Sequence, residues 1–337
     1  ADPSLYLLKR GKYTLILLAY VDDFLLVHHK LFPIHGIKAQ IFNMFDVRDL
    51  GVPTQFVGWC IQVAPGSVHI SQPKLIASLV AEFPDLETTP VSTPMAPSPV
   101  PSKQDEPKLD TALYAYAHVV GVLIHLASST RPDISYATHL LSRFMAAPTL
   151  QVWSMAMRVL KYLQSTRHLG ILYRGAPQTA TSYADASYGN CPDTRKSTTG
   201  YVFLINGAAV SWTSVLQPVN TISTTEAEFV AVSYAAREAL WLRKLYKDLD
   251  IVQDLPTLRS DSQGAILQIK NHCVGPKAKH VDQSFHFIRD RIHRGQLGIS
   301  YCSTREQLAD QFTKPLAKPL FLAARNSLGM VHQAVCQ

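Results

Sequence analysis

Cysteine is scarce and scattered in this sequence: five residues in 337, at Cys60, Cys191, Cys273, Cys302 and Cys336, with no C-x-x-C pair. That spread excludes a disulfide framework and a thiolate zinc site, and it fits a reducing, intracellular setting. Long apolar runs are also missing. The segment Leu15 to Tyr20 falls far short of the roughly 20 residues a membrane helix needs, and it lacks the layout of a secretory leader. No membrane partner is expected. Acidic residues are outnumbered, 25 Asp and Glu against 32 Lys and Arg, so the net charge is +7 and the pI ≈ 9.1. Such a balance favours polyanions, nucleic acid first. With 17% charged and 47% apolar residues the chain is an ordinary globular one, long enough for two or three domains. Its opening, "ADPSLYLLKRGKY", carries neither a helix cap nor an initiating Met and reads like the middle of a domain.

Residues 14–28, "TLILLAYVDDFLLVH", read as strand, tight turn, strand, because β-branched and aromatic residues crowd both arms and Asp-Asp suits a turn. A strand is expected at "TQFVGWCIQV" and an amphipathic helix over "HISQPKLIASLVAEF". "TTPVSTPMAPSPVPSKQDEP" is too rich in Pro and Ser for regular ladders and marks a linker. Residues 110–166 have a helical pattern, with Pro132 and Pro148 near helix starts. After "GILYRG" the pattern turns to strands: "TATSYADASYG", then "GYVFLI" and "AAVSWTS" joined through Asn206-Gly207, a hairpin signal. A long helix from about Thr224 to Leu249, a strand at "TLRSD", helices from Gly264 and near "HVDQSFHFIRDRIHR", the strand "LGISYCS" and a last helix "REQLADQFTKPL" complete a mixed sheet covered by helices.

Four carboxylates fall at unusual places in this pattern. Asp185 lies within a strand and Asp261 ends another. Asp310 lies in the last predicted helix near Leu308 and Phe312, and Glu228 shares a helix face with Ala231, Val232, Ala235 and Ala239. Taken singly each has an ordinary explanation: a turn, a cap or a solvated face. Glu226 is accounted for by a capping box, "STTE", which leaves Glu228 unexplained. As a set, four acids on separate elements of one sheet would repel strongly unless divalent cations joined them. A pair of Mg²⁺ or Mn²⁺ ions about 3.5–4 Å apart would do so and would favour in-line attack of water on a phosphodiester. Arg195 and Lys196 in "DTRKSTTG", and Lys277, Lys279 and His280 in "GPKAKHVD", could contact nucleic-acid phosphates or simply be solvated. No pairing of the 13 histidines with cysteine has structural-zinc spacing.

The strings "YVDD", "PVSTPM", "TRPDISYATHLLSRFM", "LKYLQSTRHLGILY", "YADASYGNCPDTRKSTTGYVFLINGAAVSW", "STTEAEFVA", "SDSQGA", "KHVDQSFHFIRD" and "QLADQFTKPL" together resemble the Pol polyprotein of copia-type (Ty1/copia) LTR retrotransposons, over essentially the whole chain. The resemblance implies an α/β (α+β) fold. It would comprise the C-terminal part of a reverse transcriptase palm and thumb over 1–90, a Pro-rich linker over 91–110, and a helical connection or thumb-like region over 111–175. A ribonuclease H-like mixed five-stranded sheet with flanking helices would follow over 176–337. By the same resemblance Asp22 and Asp23 belong to the polymerase's metal-binding hairpin. Only 21 residues precede them, and Asp2, the one acid there, does not match the family's third ligand, so no polymerase activity is expected of this chain alone. Asp185, Glu228, Asp261 and Asp310 fall on the family's ribonuclease H ligand positions, which implies two Mg²⁺ or Mn²⁺ ions and hydrolysis of RNA in an RNA/DNA hybrid. The loop "CSTREQ" lacks the histidine that some relatives of the fold carry there. Implied partners are nucleic acid and the missing N-terminal polymerase segment or another Pol chain, in a cytoplasmic retroelement particle or the nucleus. "TSVLQPV" replaces a Lys-rich family stretch and Ser284 replaces an Arg. These departures favour a competing expectation, a decayed or repurposed relic that binds nucleic acid or protein without catalysis.

Overall fold

The structure, a computed structural model, describes residues 2–11, 13–29, 31–86, 89–105, 107–175, 180–251, 256–270 and 279–332, with the backbone alone for 279–285. The chain opens with three antiparallel strands, β1 (Leu5–Arg10), β2 (Tyr13–Tyr20) and β3 (Asp23–His28), in the order β1-β2-β3. The hairpin at 14–28 is therefore present, and β1 and the following helix α1 (Ile34–Met44) add to it. Leu15, Phe32 and Ile37 form a small separate core beneath these elements.

Next come β4 (Gln55–Phe56), β5 (Trp59–Ala64), β6 (Ser67–Ser71) and α2 (Pro73–Ala81). The helix expected over "HISQPKLIASLVAEF" thus starts only at Pro73, where proline's fixed φ suits a first helical turn. The residues before it are strand because β6 pairs with β5 on one side and with β7 (Leu169–Arg174) on the other. That second partner lies about a hundred residues away and leaves no local trace. The Pro-rich stretch carries no helix or strand among its described residues, yet it is packed: Met95 is buried, and Thr93 Oγ1 accepts a hydrogen bond from Arg158 Nη2 at 3.0 Å.

Three helices, α3 (Tyr116–Ser129), α4 (Ser135–Ser142) and α5 (Leu150–Ser165), pack around Val119, Leu123, Leu126, Leu141, Val159 and Leu163, all fully buried. Between α3 and α4 sits an ion pair with no exposed surface. Arg131 Nε and Nη2 donate to Asp133 Oδ1 and Oδ2 at 2.9 and 2.8 Å. Arg131 also reaches the Thr166 carbonyl (3.1 Å) and hydroxyl (2.8 Å), while Tyr162 Oη donates to Asp133 Oδ2 at 2.6 Å. These bonds pin the start of α4 to the end of α5.

The C-terminal half contains β8 (Thr181–Ser187), β9 (Thr198–Ile205), β10 (Ala208–Leu216), α6 (Thr224–Asp248), β11 (Thr257–Ser260), α7 (Gln263–Lys270), α8 (Lys279–His293) and β12 (Gly298–Tyr301). They form a mixed five-stranded sheet in the order β10-β9-β8-β11-β12: β8, β9 and β10 are antiparallel neighbours, and β11 is parallel to both β8 and β12. Asn206 and Gly207 turn β9 into β10 at φ +51° and +74°, the pair of positive values a type I′ hairpin requires. Ser223 caps α6 by accepting from Glu226 N at 3.2 Å, and Glu226 Oε2 accepts from Ile222 N at 2.7 Å, so the cap forms with its return bond one residue before the N-cap position of a standard capping box.

After β12 the expected helix over "REQLADQFTKPL" is absent. Two 3₁₀ turns, Thr304–Glu306 and Leu308–Phe312, take its place. Gln307 is responsible in part, because its side chain accepts from Ala309 N (3.2 Å) and donates to the Ala184 carbonyl (3.0 Å), tethering the segment to β8. The last described elements are α9 (Lys318–Ser327) and β13 (Met330–His332). β13 returns to the other large sheet, whose order is β13-β7-β6-β5-β4. The two five-stranded sheets share a core of Ile171, Val202, Ala208, Phe312 and Leu328.

Candidate metal centre

The sheet's parallel pairing is what brings the acids together. Leu258 of β11 lies opposite Ser182 of β8, and Arg259 opposite Tyr183. Carried two residues further, the same register sets Asp261, just past β11, level with Asp185 near the end of β8. The start of α6 crosses above them and supplies Glu228. Carboxylate oxygens of Asp185, Glu228 and Asp261 all lie within 4.8 Å of one another. Asp185 is 4% exposed and the other two are half-buried.

Asp310 approaches from the opposite side on the 3₁₀ segment Leu308–Phe312, close enough to Asp185 for the two carboxyls to share a hydrogen bond. That approach needs Gly200, the partner of Asp185 in the β8–β9 ladder. A Cβ on Gly200 would stand 2.7 Å from Phe312 Cβ, 2.8 Å from Thr313 Cγ2 and 2.9 Å from the Ala309 carbonyl oxygen. Thr313, fully buried, donates its hydroxyl to Asp185 Oδ2 at 2.6 Å. Thr304 donates to Asp261 Oδ2 at 2.7 Å, and Lys314 Nζ stands 2.9 Å from Asp310 Oδ1.

Glu228 fares worst. Its Oε2 is buried without a partner, and burial, then the charges of Asp185 and Asp261, push its carboxyl up to about 10. The backbone N–H of Ala186 opposes that rise without cancelling it. Burial first, then Asp185, raise Asp310 to about 6 against the pull of Lys314. A carboxylate cluster this costly, one of whose members keeps a buried oxygen without a partner, is complementary to a cation. The donors are all hard oxygens, the set that suits a Mg²⁺-, Mn²⁺- or Ca²⁺-like ion and not a thiolate-seeking metal.

The other anticipated residues lie elsewhere. Asp22 and Asp23 sit exposed at the tip of the β2–β3 hairpin, next to Val21, which is 85% exposed at φ +50°, a strained value for a β-branched residue. Among the described residues no further acid completes a metal-binding group with them. Arg195 is exposed on the β8–β9 loop, and Lys196 is half-buried there, its carbonyl accepting from Cys191 N. Lys279 and His280 open α8, where the side chains are outside the described residues, as is all of Lys277. Thr304, Thr313, Lys314 and Gly200 were not singled out from the sequence. Three of them lie in strings already tied to the family, so the signal was present as motif but not as role.

Fold and site together define a mixed α/β protein with an all-carboxylate cluster consistent with a divalent cation. Residues 1–97 match RVT_2, described as reverse transcriptase (RNA-dependent DNA polymerase). Over 332 residues the chain is 35% identical to the retrovirus-related Pol polyprotein from transposon RE1 of Arabidopsis thaliana, covering 98% of this chain and 22% of that protein. It is 33% identical over 338 residues to the Pol polyprotein from transposon TNT 1-94 of Nicotiana tabacum, covering 98% and 26%. A putative transposon Ty5-1 protein of Saccharomyces cerevisiae is 34% identical over 241 residues, 70% of this chain and 78% of that one. The chain belongs to the copia-type retrotransposon Pol family and spans about a quarter of the length of the Pol polyproteins from RE1 and TNT 1-94. Among solved structures, LC11-RNase H1 in complex with RNA/DNA hybrid aligns at 16% identity and TM-score 0.31, over 40% of this chain and 94% of that one. The foamy viral protease-reverse transcriptase in complex with dsDNA aligns at 10% identity and TM-score 0.43, over 86% and 55%. No helix among the described residues is long and apolar enough to cross a membrane.

Proposed function

We propose that the C-terminal half hydrolyses the RNA strand of an RNA/DNA hybrid, with two divalent ions, Mg²⁺ or Mn²⁺, held by Asp185, Glu228, Asp261 and Asp310. The observation that carries this reading is the convergence of carboxylate oxygens of Asp185, Glu228 and Asp261 within 4.8 Å of one another, with Glu228 also keeping a buried oxygen without a partner. When bound, such ions favour attack of water on phosphorus and offset charge on the departing 3′ oxygen. The protein's own part is positional. Thr313 fixes the rotamer of Asp185, Thr304 that of Asp261, and the Ala186 N–H that of Glu228, so the ligand oxygens are set before substrate arrives. Arg195, Lys196, Lys277, Lys279 and His280 are the groups assigned to the substrate backbone, and the 2′-OH and A-like groove would distinguish RNA from DNA.

The polymerase part is inactive in this chain alone. Asp22 and Asp23 are exposed on a hairpin tip with no third carboxylate beside them among the described residues. Further polymerase residues of a longer Pol polypeptide, or another Pol chain, would be its completing partner. The test is cleavage of a labelled RNA/DNA hybrid with Mg²⁺ by the chain and by Asp185→Asn. Cleavage by the first and not the second supports the assignment. Equal background from both would leave nucleic-acid binding without catalysis.

A further inference from the structure

The four carboxylates are not equally available. Thr313 holds one oxygen of Asp185 at 2.6 Å and Thr304 one of Asp261 at 2.7 Å, but both are neutral donors that leave the carboxylate charge in place. Glu228 Oε2 has no partner. Among these four, Asp310 is the one in an ion pair: Lys314 Nζ stands 2.9 Å from its Oδ1, an oxygen that is otherwise buried without a hydrogen-bond partner, with the Asp310 side chain 15% exposed and that of Lys314 44%. The backbone fixes this meeting. Lys314 N donates to the Asp310 carbonyl at 3.2 Å, so the turn after the 3₁₀ segment folds the lysine back over the aspartate.

From this asymmetry we infer that Lys314 is a built-in counter-cation of the carboxylate cluster that competes with a divalent ion for Asp310. The site therefore takes one ion firmly at Asp185, Glu228 and Asp261 and admits a second only by displacing the ammonium. The inference rests on the metal reading above and adds an order of filling to it. An ammonium has three donors and no acceptor, so it can share Asp310 with a carboxylate's neighbours but not with another cation at bonding distance. The residue is thus a positioning group, acting on the reaction through occupancy at Asp310.

The experiment titrates the full chain with Mn²⁺ in a calorimeter, as wild type, Lys314→Met and Lys314→Arg. Wild type is expected to bind one ion well and a second weakly. Lys314→Met should tighten the second event by roughly tenfold and leave the first nearly unchanged, since one opposing charge has been removed. Lys314→Arg should behave like wild type. Melting provides a second reading: in EDTA Lys314→Met should melt lower than wild type, and Mg²⁺ should close the gap. The inference is overturned if the two affinities are the same in Lys314→Met as in wild type, or if Mg²⁺ leaves the melting deficit intact, as a merely structural lysine would require. Absence of any Mn²⁺ binding that Asp185→Asn removes would overturn the metal reading itself, and this inference with it.

Discussion

Replacing Asp185 by Asn should make the metal-free protein more stable while abolishing cleavage. At neutral pH Glu228 is protonated, so the main repulsion is between Asp185, Asp261 and Asp310. Two unit charges 4.8 Å apart interact by about 3 kcal/mol at an effective dielectric constant of about 20. Against that relief stands a weaker hydrogen bond from Thr313, whose hydroxyl would meet a neutral amide oxygen instead of a carboxylate, at a cost of about 1 kcal/mol. Lys314 also loses some of its attraction to the cluster. The balance is a net stabilisation of about 1–2 kcal/mol in EDTA, a rise in melting temperature of roughly 2–6 °C. Scanning calorimetry of both proteins, with and without Mg²⁺, checks it. Mg²⁺ should raise the melting temperature of wild type and have little effect on Asp185→Asn. A variant that melts lower than wild type in EDTA, or that gains as much from Mg²⁺, would refute the idea that these acids are held together against their own repulsion.

Arg131→Met should destabilise the chain by about 3–5 kcal/mol in urea unfolding, because it strands the Asp133 carboxylate in a site with no exposed surface. Arg131→Met with Asp133→Leu should recover much of that loss, and failure to do so would argue against stranded charge as the cause. Gly200→Ala should push the 309–313 segment off β9, cost about 1–3 kcal/mol, and cut hybrid cleavage by roughly a hundredfold, because Asp310 and the Thr313 bond to Asp185 shift together. A variant with full cleavage activity would mean that Asp310 is dispensable. His139 is held neutral, its proton affinity lowered to about 4 by burial and then by Arg143, and its Nε2 accepts from Leu216 N at 3.0 Å. Between about pH 6.5 and 4 the unfolded chain takes up a proton that the folded chain refuses. Stability present above pH 6.5 is therefore lost as pH falls through that window, by up to about 3 kcal/mol. His139→Gln should flatten that part of the pH–stability curve, and an unchanged slope would exclude His139 as its source.

What was legible in the sequence follows from how local each signal is. Asn206-Gly207 demands its turn, and Ser223 with Glu226 demands a helix start, so both were readable and both are present. Glu228 stood out because an acid on an alanine-lined helix face has no local explanation, and the structure gives it a non-local one. Asp310 was found, but its element was not. Its segment has helical periodicity, and only the tether of Gln307 to β8 and the close approach across Gly200 force the tighter turns. "HIS" before Pro73 reads as helix for a similar reason, since it is held as strand between β5 and the sequence-distant Leu169–Arg174. Lys314 was invisible as a partner of Asp310, because spacing four apart on a predicted helix reads as an ordinary surface pair.

The sheet β13-β7-β6-β5-β4 weaves together residues 55–71, 169–174 and 330–332. The stretch matching the reverse transcriptase family and the residues that follow the sheet bearing the carboxylates are thereby stitched side by side. A protease nick in the Pro-rich segment would leave the halves still clasped through backbone hydrogen bonds, whereas a premature stop before Met330 would unzip an outer edge of that shared fabric. Scission and truncation should thus have opposite consequences for assembly.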